Sequence, residues 1–151
     1  MKVYLATDHA GFALKEAVKA WLTESGVEVM DYGAYGFDDD DDYPDYISLA
    51  AVAVSKSPQE RALIFGGSGQ GEAMLANRYP GVRAAVYYGG TLDIVTLSRE
   101  HNDANVLSLG ARFLEPAEAI AAVDAWLKTA PLPDPKYQRR VKKAETLSLR
   151  G

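Results

Sequence analysis

At 151 residues the chain has the length of one domain, enough to bury a core without staples. Its 48% hydrophobic and 25% charged residues are those of a globular protein, and a net charge of -5 disfavours nucleic acid, whose binding comes mainly from neutralised phosphates. Cysteine is absent and only His9 and His101 are present, which excludes disulfides, thiol nucleophiles and Cys-ligated metals and leaves a zinc site short of donors.

The first apolar run is too short for a signal peptide and meets Asp8 at once, and no stretch approaches the length of a membrane span. A cytoplasmic location, with no membrane partner, is the expectation. Short apolar runs then alternate with longer amphipathic ones, the pattern of a parallel sheet covered by helices. Residues 2–7 read as the first strand. Residues 10–25 read as a helix with Leu14, Val18, Trp21 and Leu22 at helical spacing, closed by Gly26.

A second strand is expected at 27–31 and an alanine-rich helix at 43–55. Strands at 61–65, 82–88 and 105–110 follow, with helices at 72–78, 92–101 and 116–128 between and after them. The fold class is therefore α/β, a three-layer αβα sandwich on a five-stranded parallel sheet, Rossmann-like or flavodoxin-like. Residues 1–130 form this unit. Residues 131–151 add a proline-stiffened connector and a basic helix or arm at 136–149, part of the same domain and expected at a dimer contact. The five consecutive acids at 38–42 read as a solvated loop, since like charges repel and favour open chain.

In an open parallel sheet, ligands bind beyond the carboxyl ends of strands, where strand order reverses. With the order 2-1-3-4-5, the turn Thr7-Asp8-His9-Ala10-Gly11 and the turn Gly66-Gly67-Ser68-Gly69-Gln70-Gly71-Glu72 face one crevice. The second turn has four glycines in six positions before a helix, so backbone N–H groups can converge on an oxygen. It is neither a dinucleotide fingerprint nor a P-loop, because Glu72 stands where a third glycine or a phosphate-binding lysine would be needed. A carboxylate there would repel a phosphate, so the turn suits a carbonyl oxygen that becomes negative during reaction. Glu72 then reads either as a general base or as an acid favoured in a helix's first turn.

His9 and His101 sit at element ends among polar residues, in places that suit either a site or an incidental histidine. Lys136 and Arg140 are one helical turn apart and could grip one phosphate or simply form a solvated basic face. Arg112 follows the fifth strand and is a third candidate cation.

Together these residues resemble the ribose-5-phosphate isomerase B family, which also includes the galactose-6-phosphate isomerase subunits. The resemblance is carried by Asp8-His9-Ala10-Gly11 with Leu14-Lys15, Asp42-Tyr43-Pro44-Asp45-Tyr46, Gly67-Ser68-Gly69-Gln70-Gly71 with Ala76-Asn77-Arg78, Arg99-Glu100-His101-Asn102, and Gly110-Ala111-Arg112. It implies an aldose–ketose isomerase of a phosphorylated sugar, by default ribose 5-phosphate to ribulose 5-phosphate, without metal or cofactor. It also implies a homodimer, or a dimer of dimers, whose active sites draw on both chains.

The resemblance gives His101 the opening of the sugar ring and Glu72 the transfer of a proton between C1 and C2 through an enediolate. Ser68 with Gly67, Gly69, Gln70 and Gly71 would hold the oxyanion. Asp8 and Asn102 would orient hydroxyls, Tyr43 would wall the pocket, and His9, Arg112, Lys136 and Arg140 would hold the phosphate. Part of the family uses a cysteine base just before the glycine turn, where this chain has Gly66, so it resembles the branch with glutamate at the Glu72 position. Lys136 stands where the family commonly has arginine. Isomerases of other tetrose or hexose phosphates, and a non-catalytic sugar-phosphate-binding subunit, are the alternatives.

Overall fold

The computed structural model describes residues 1–148; the expected helix end at Leu149 and the basic Arg150 lie outside the described residues. Five strands, β1 (Lys2–Thr7), β2 (Glu28–Asp31), β3 (Arg61–Gly66), β4 (Ala84–Tyr87) and β5 (Val106–Gly110), pair in parallel. Six helices follow in turn: α1 (Phe12–Glu24), α2 (Tyr43–Lys56), α3 (Gln70–Ala76), α4 (Asp93–Asn102), α5 (Pro116–Lys128) and α6 (Pro135–Ser148).

Side chains alternate across each strand. Val3, Leu5, Leu63, Phe65, Leu107 and Leu109 pack on one face with Leu14, Val18 and Leu22 of α1, Val95 of α4 and Val123 and Trp126 of α5. Tyr4, Ala6, Ala62, Ile64 and Val106 pack on the other with Ile47, Ala50, Ala51 and Val54 of α2 and Ala76 of α3. Two covered faces explain why the inner strands read as continuous apolar runs.

The strand order is β2-β1-β3-β5-β4, which corrects the expected 2-1-3-4-5. The cause lies in which face α4 covers. Val95 commits α4 to the α1 face, and a right-handed crossover on that face steps the chain in the direction that α1 takes from β1 to β2, so from β4 inward to β5. Helices α2 and α3, on the opposite face, step it outward. So β4 goes to the edge, where it is short and mostly half-buried, and the fully buried β5 takes the inner place.

Smaller differences concern element ends. A 3-10 turn, His9–Gly11, precedes α1, capped by the Asp8 carboxylate, which accepts from the Ala10 N–H at 3.0 Å. Helix α3 starts at Gln70 rather than at 72, after Gly69 in the left-handed conformation at φ 77°. Pro135 opens α6, a position that tolerates its missing N–H. Helix α6 docks on α4: His101 stacks on Tyr137, and the Leu132 N–H donates to the Glu100 carbonyl at 3.0 Å. Among the described residues no helix is long and apolar enough to cross a membrane.

Candidate active site

The register sets Thr7 opposite Phe65 and Gly66 opposite Gly110, so the ends of β1, β3 and β5 open onto one crevice. The inner position of β5 matters here. It brings Arg112 beside the glycine turn, where its N–H donates to the Gly67 carbonyl at 3.0 Å. A Cβ on Gly67 would lie 3.1 Å from the Arg112 guanidinium, and one on Gly71 would lie 2.9 Å from the Tyr43 hydroxyl. Ser108, inside β5, donates to the Gly69 carbonyl at 2.6 Å and pins the turn from below, while Ser68 Oγ accepts from the Gln70 N–H at 3.3 Å.

Glu72 is in the first turn of α3, yet its side chain turns inward and is 5% exposed. Its carboxylate lies over the Cα of Gly66: a Cβ there would fall within 2.6 Å of Oε2 and closer still to Oε1. Burial raises its pKa above the ordinary 4.5, the nearby charge of Asp8 adds to the rise, and a hydrogen bond from its own backbone opposes it. An outward-facing acid placed for the helix dipole alone would show no such burial. Asp8 itself is buried.

His9 is held by a residue that the sequence reading assigned to solvent. Asp41 Oδ1 lies 2.6 Å from His9 Nδ1 and accepts from the His9 backbone N–H at 3.0 Å. The acidic run is therefore not one solvated loop: Asp38, Asp39 and Asp40 are exposed, whereas the Asp41 side chain is only 6% exposed. A run of identical acids gives no sign of which member turns inward. The carboxylate oxygens of Asp8 and Asp41 and a ring nitrogen of His9 converge within 4.8 Å.

The remaining candidates are elsewhere. His101 and Asn102 end α4, a few residues before the amino end of β5. A strand length of roughly 15 Å thus separates them from the Glu72 turn. The ring of His101 stacks on Tyr137 at 4.3 Å and 9°, and the Lys136 ammonium and Arg140 guanidinium lie 5.0 and 5.9 Å from the centre of that tyrosine. Tyr137 is thus a platform shared by three candidates and was absent from the sequence-based set; its place between cations one residue before and three after is the signal for it. Two clefts of about 360 and 970 Å³ open at this end, the first lined by His101 and Tyr137, the second by Asn102 and Arg140.

The candidate residues therefore fall into two groups at opposite ends of the strands. The first holds Asp8, His9, Tyr43, the glycine turn with Ser68, Glu72 and Arg112. The second holds His101, Asn102, Lys136 and Arg140.

A sequence profile described as Ribose/Galactose Isomerase matches residues 3–144. The chain belongs to the ribose/galactose isomerase family. Within that family it is 42% identical over 141 residues to the ribose-5-phosphate isomerase B of Mycolicibacterium paratuberculosis, covering 93% of this chain and 87% of the relative. It is 39% identical to that of Escherichia coli, over 93% and 91% of the two. Among solved family structures, ribose-5-phosphate isomerase B from Mycoplasma genitalium with bound ribulose-5-phosphate superposes at a TM-score of 0.92, with 34% identity over 99% of this chain and 97% of the other. The Clostridium thermocellum enzyme also superposes at 0.92, with 37% identity over 99% of both.

Proposed function

We propose that the chain interconverts ribose 5-phosphate and ribulose 5-phosphate, with Glu72 as the base at carbon. The observation that carries this reading is the buried Glu72 carboxylate, turned onto Gly66 beside the glycine turn and Asp8. The relatives' shared activity supplies the substrate class. With the open-chain aldose bound, Glu72 takes the proton from C2 while the C1 carbonyl oxygen becomes the oxyanion of an enediolate. On this reading the backbone N–H groups of Gly67, Gly69 and Gly71, with the Ser68 hydroxyl, hold that charge. Glu72 then returns the proton to C1, the proton of the C2 hydroxyl passes to the C1 oxyanion, and the ketose forms. The raised pKa of Glu72 serves this role, since a base works best when its pKa approaches the working pH.

Ring opening falls to His101, which moves a proton between the anomeric hydroxyl and the ring oxygen. Because His101 cannot reach the Glu72 turn of its own chain, the reading requires that a second copy present its amino-edge half-site across the crevice, as a homodimer allows. His9 and Arg112 on one side and Lys136 and Arg140 on the other then share the phosphate. Asp8 and Asn102 hold hydroxyls, and Tyr43 walls the pocket.

The test is a panel of tetrose, pentose and hexose phosphates in deuterated water, read for exchange of the C2 hydrogen. Exchange and isomerisation fastest with ribose 5-phosphate are expected. Exchange with none of the panel refutes the reading, and a faster hexose or tetrose phosphate replaces the substrate.

A further inference from the structure

The Asp41 carboxylate is the one member of the acidic run with a buried side chain, and it is spent on a single residue. Oδ1 receives both the backbone N–H and the ring Nδ1 of His9, so one oxygen fixes the main chain and the ring together. Oδ2 is buried and has no hydrogen-bond partner among the described residues. A buried carboxylate with an idle oxygen is costly unless a positive charge adjoins it, and among the described residues the cation in contact with it is the imidazole, once protonated. Phe37 closes one flank, its ring edge-on to the histidine at 6.1 Å. With Nδ1 committed, the ring, 29% exposed, has Nε2 as its remaining donor.

We propose that Asp41 is a positioning residue that holds His9 as an imidazolium with Nε2 offered to the phosphate of the substrate. The proposal rests on the reading that His9 binds phosphate. A neutral histidine must choose between donating to Asp41 and donating to an anion; a protonated one does both. The groups that face the ring all favour its charged form: the hydrogen bond to Asp41 raises its pKa most, burial opposes it, and Asp8, Asp41 and Asp39 add to the rise through their charges. Asp8 comes from the end of β1 and the others from the acidic loop, so His9 meets carboxylates from both elements packed on it. The tie also orders the turn that carries Asp8, because the His9 amide is its next peptide group.

Two histidines in the chain make the test direct by proton NMR. In the unaltered protein the His9 titration midpoint should lie above that of an ordinary histidine and rise further on adding inorganic phosphate. In Asp41→Asn, which keeps the shape and the acceptor, it should fall toward about 6.5. With ribose 5-phosphate at pH 7.5, KM should rise about fivefold to tenfold, the difference between a charged and a neutral hydrogen bond, while kcat stays within about twofold. At pH 5.5, where the imidazole is protonated in either form, the KM penalty should shrink.

A His9 midpoint that ignores the substitution, or that ignores phosphate in the unaltered protein, overturns the proposal. So does a KM penalty of the same size at both pH values, which would mark a purely structural tie. Absence of isomerisation in the unaltered protein would instead refute the activity, and the phosphate titration would still decide the role of Asp41.

Discussion

The carboxylate of Glu72 occupies the space that a side chain on Gly66 would need. The two positions are thus alternatives for one volume at the end of β3: a base can hang from the strand end or fold back from α3, but not both. Gly66→Ala should push the carboxylate off its place and lower kcat by about a hundredfold or more, as expected when a catalytic group moves by about an ångström. Steady-state kinetics with a near-ultraviolet circular dichroism check would show this; an unimpaired kcat would mean that the carboxylate's position is immaterial.

Glu72→Gln should retain sugar-phosphate binding and lose about 10² to 10⁴ in turnover, the usual worth of a general base. It should also stabilise the protein at neutral pH. The sign follows from burial, which raises the pKa of Glu72 above 4.5 in the folded chain. The folded state then holds the proton more tightly than the unfolded state, so stability drops as pH climbs from the unfolded pKa through the folded one. The glutamine variant escapes that loss. Its Tm should exceed that of the unaltered protein by a few degrees at pH 7 and match it near pH 4, as scanning calorimetry would read. In the unaltered enzyme the acid limb of kcat should lie above 4.5.

Much of this was legible in the sequence, and the gaps have physical causes. The strands announce themselves as apolar runs because both faces of the sheet are covered, and the glycine turn with Glu72 announces a site because four glycines in six positions before a helix leave backbone N–H groups open to an oxygen. The exchange of β4 and β5 is not legible locally, since it turns on which face Val95 packs against. Nor is Asp41, identical to its four neighbours in chemistry and different only in where the loop points it. The separation of Glu72 from His101 was readable without coordinates: a turn after a strand and the end of a helix before a strand stand at opposite edges of any parallel sheet.

Lys136 and Arg140 flank the Tyr137 ring on an exposed helix face, with Lys136 also 3.8 Å from Asp134. Each alanine substitution should raise KM for ribose 5-phosphate about tenfold with little change in kcat, as for binding shared by ground and transition states. Lys136→Arg should lower KM, because a guanidinium offers a two-pronged grip that an ammonium lacks. Initial rates across substrate concentration separate these effects, and an unchanged KM in all three variants would move the phosphate elsewhere.

Lys15 is fully buried, and its ammonium donates to Asp31 Oδ1 at 2.8 Å and to the Ala34 carbonyl at 2.6 Å. It anchors the end of β2, from which the chain leads into the acidic loop. Lys15→Ala leaves a largely buried carboxylate with the half-exposed Lys19 as its one remaining cation among the described residues. The expected cost is about 3 kcal/mol, or roughly 6 to 12 °C in Tm. Thermal unfolding gives the answer, and a Tm within a degree of the unaltered protein would contradict it.

The most direct measurement mixes two inactive proteins. Glu72→Gln and His101→Asn should each be nearly inactive alone. If each site takes its base from one chain and its histidine from the other, unfolding and refolding the pair together yields mixed dimers in which one of two sites is intact. Random assortment then restores about a quarter of the unaltered activity. Activity that stays at the level of the separate variants, although mixed dimers have formed, would contradict the account.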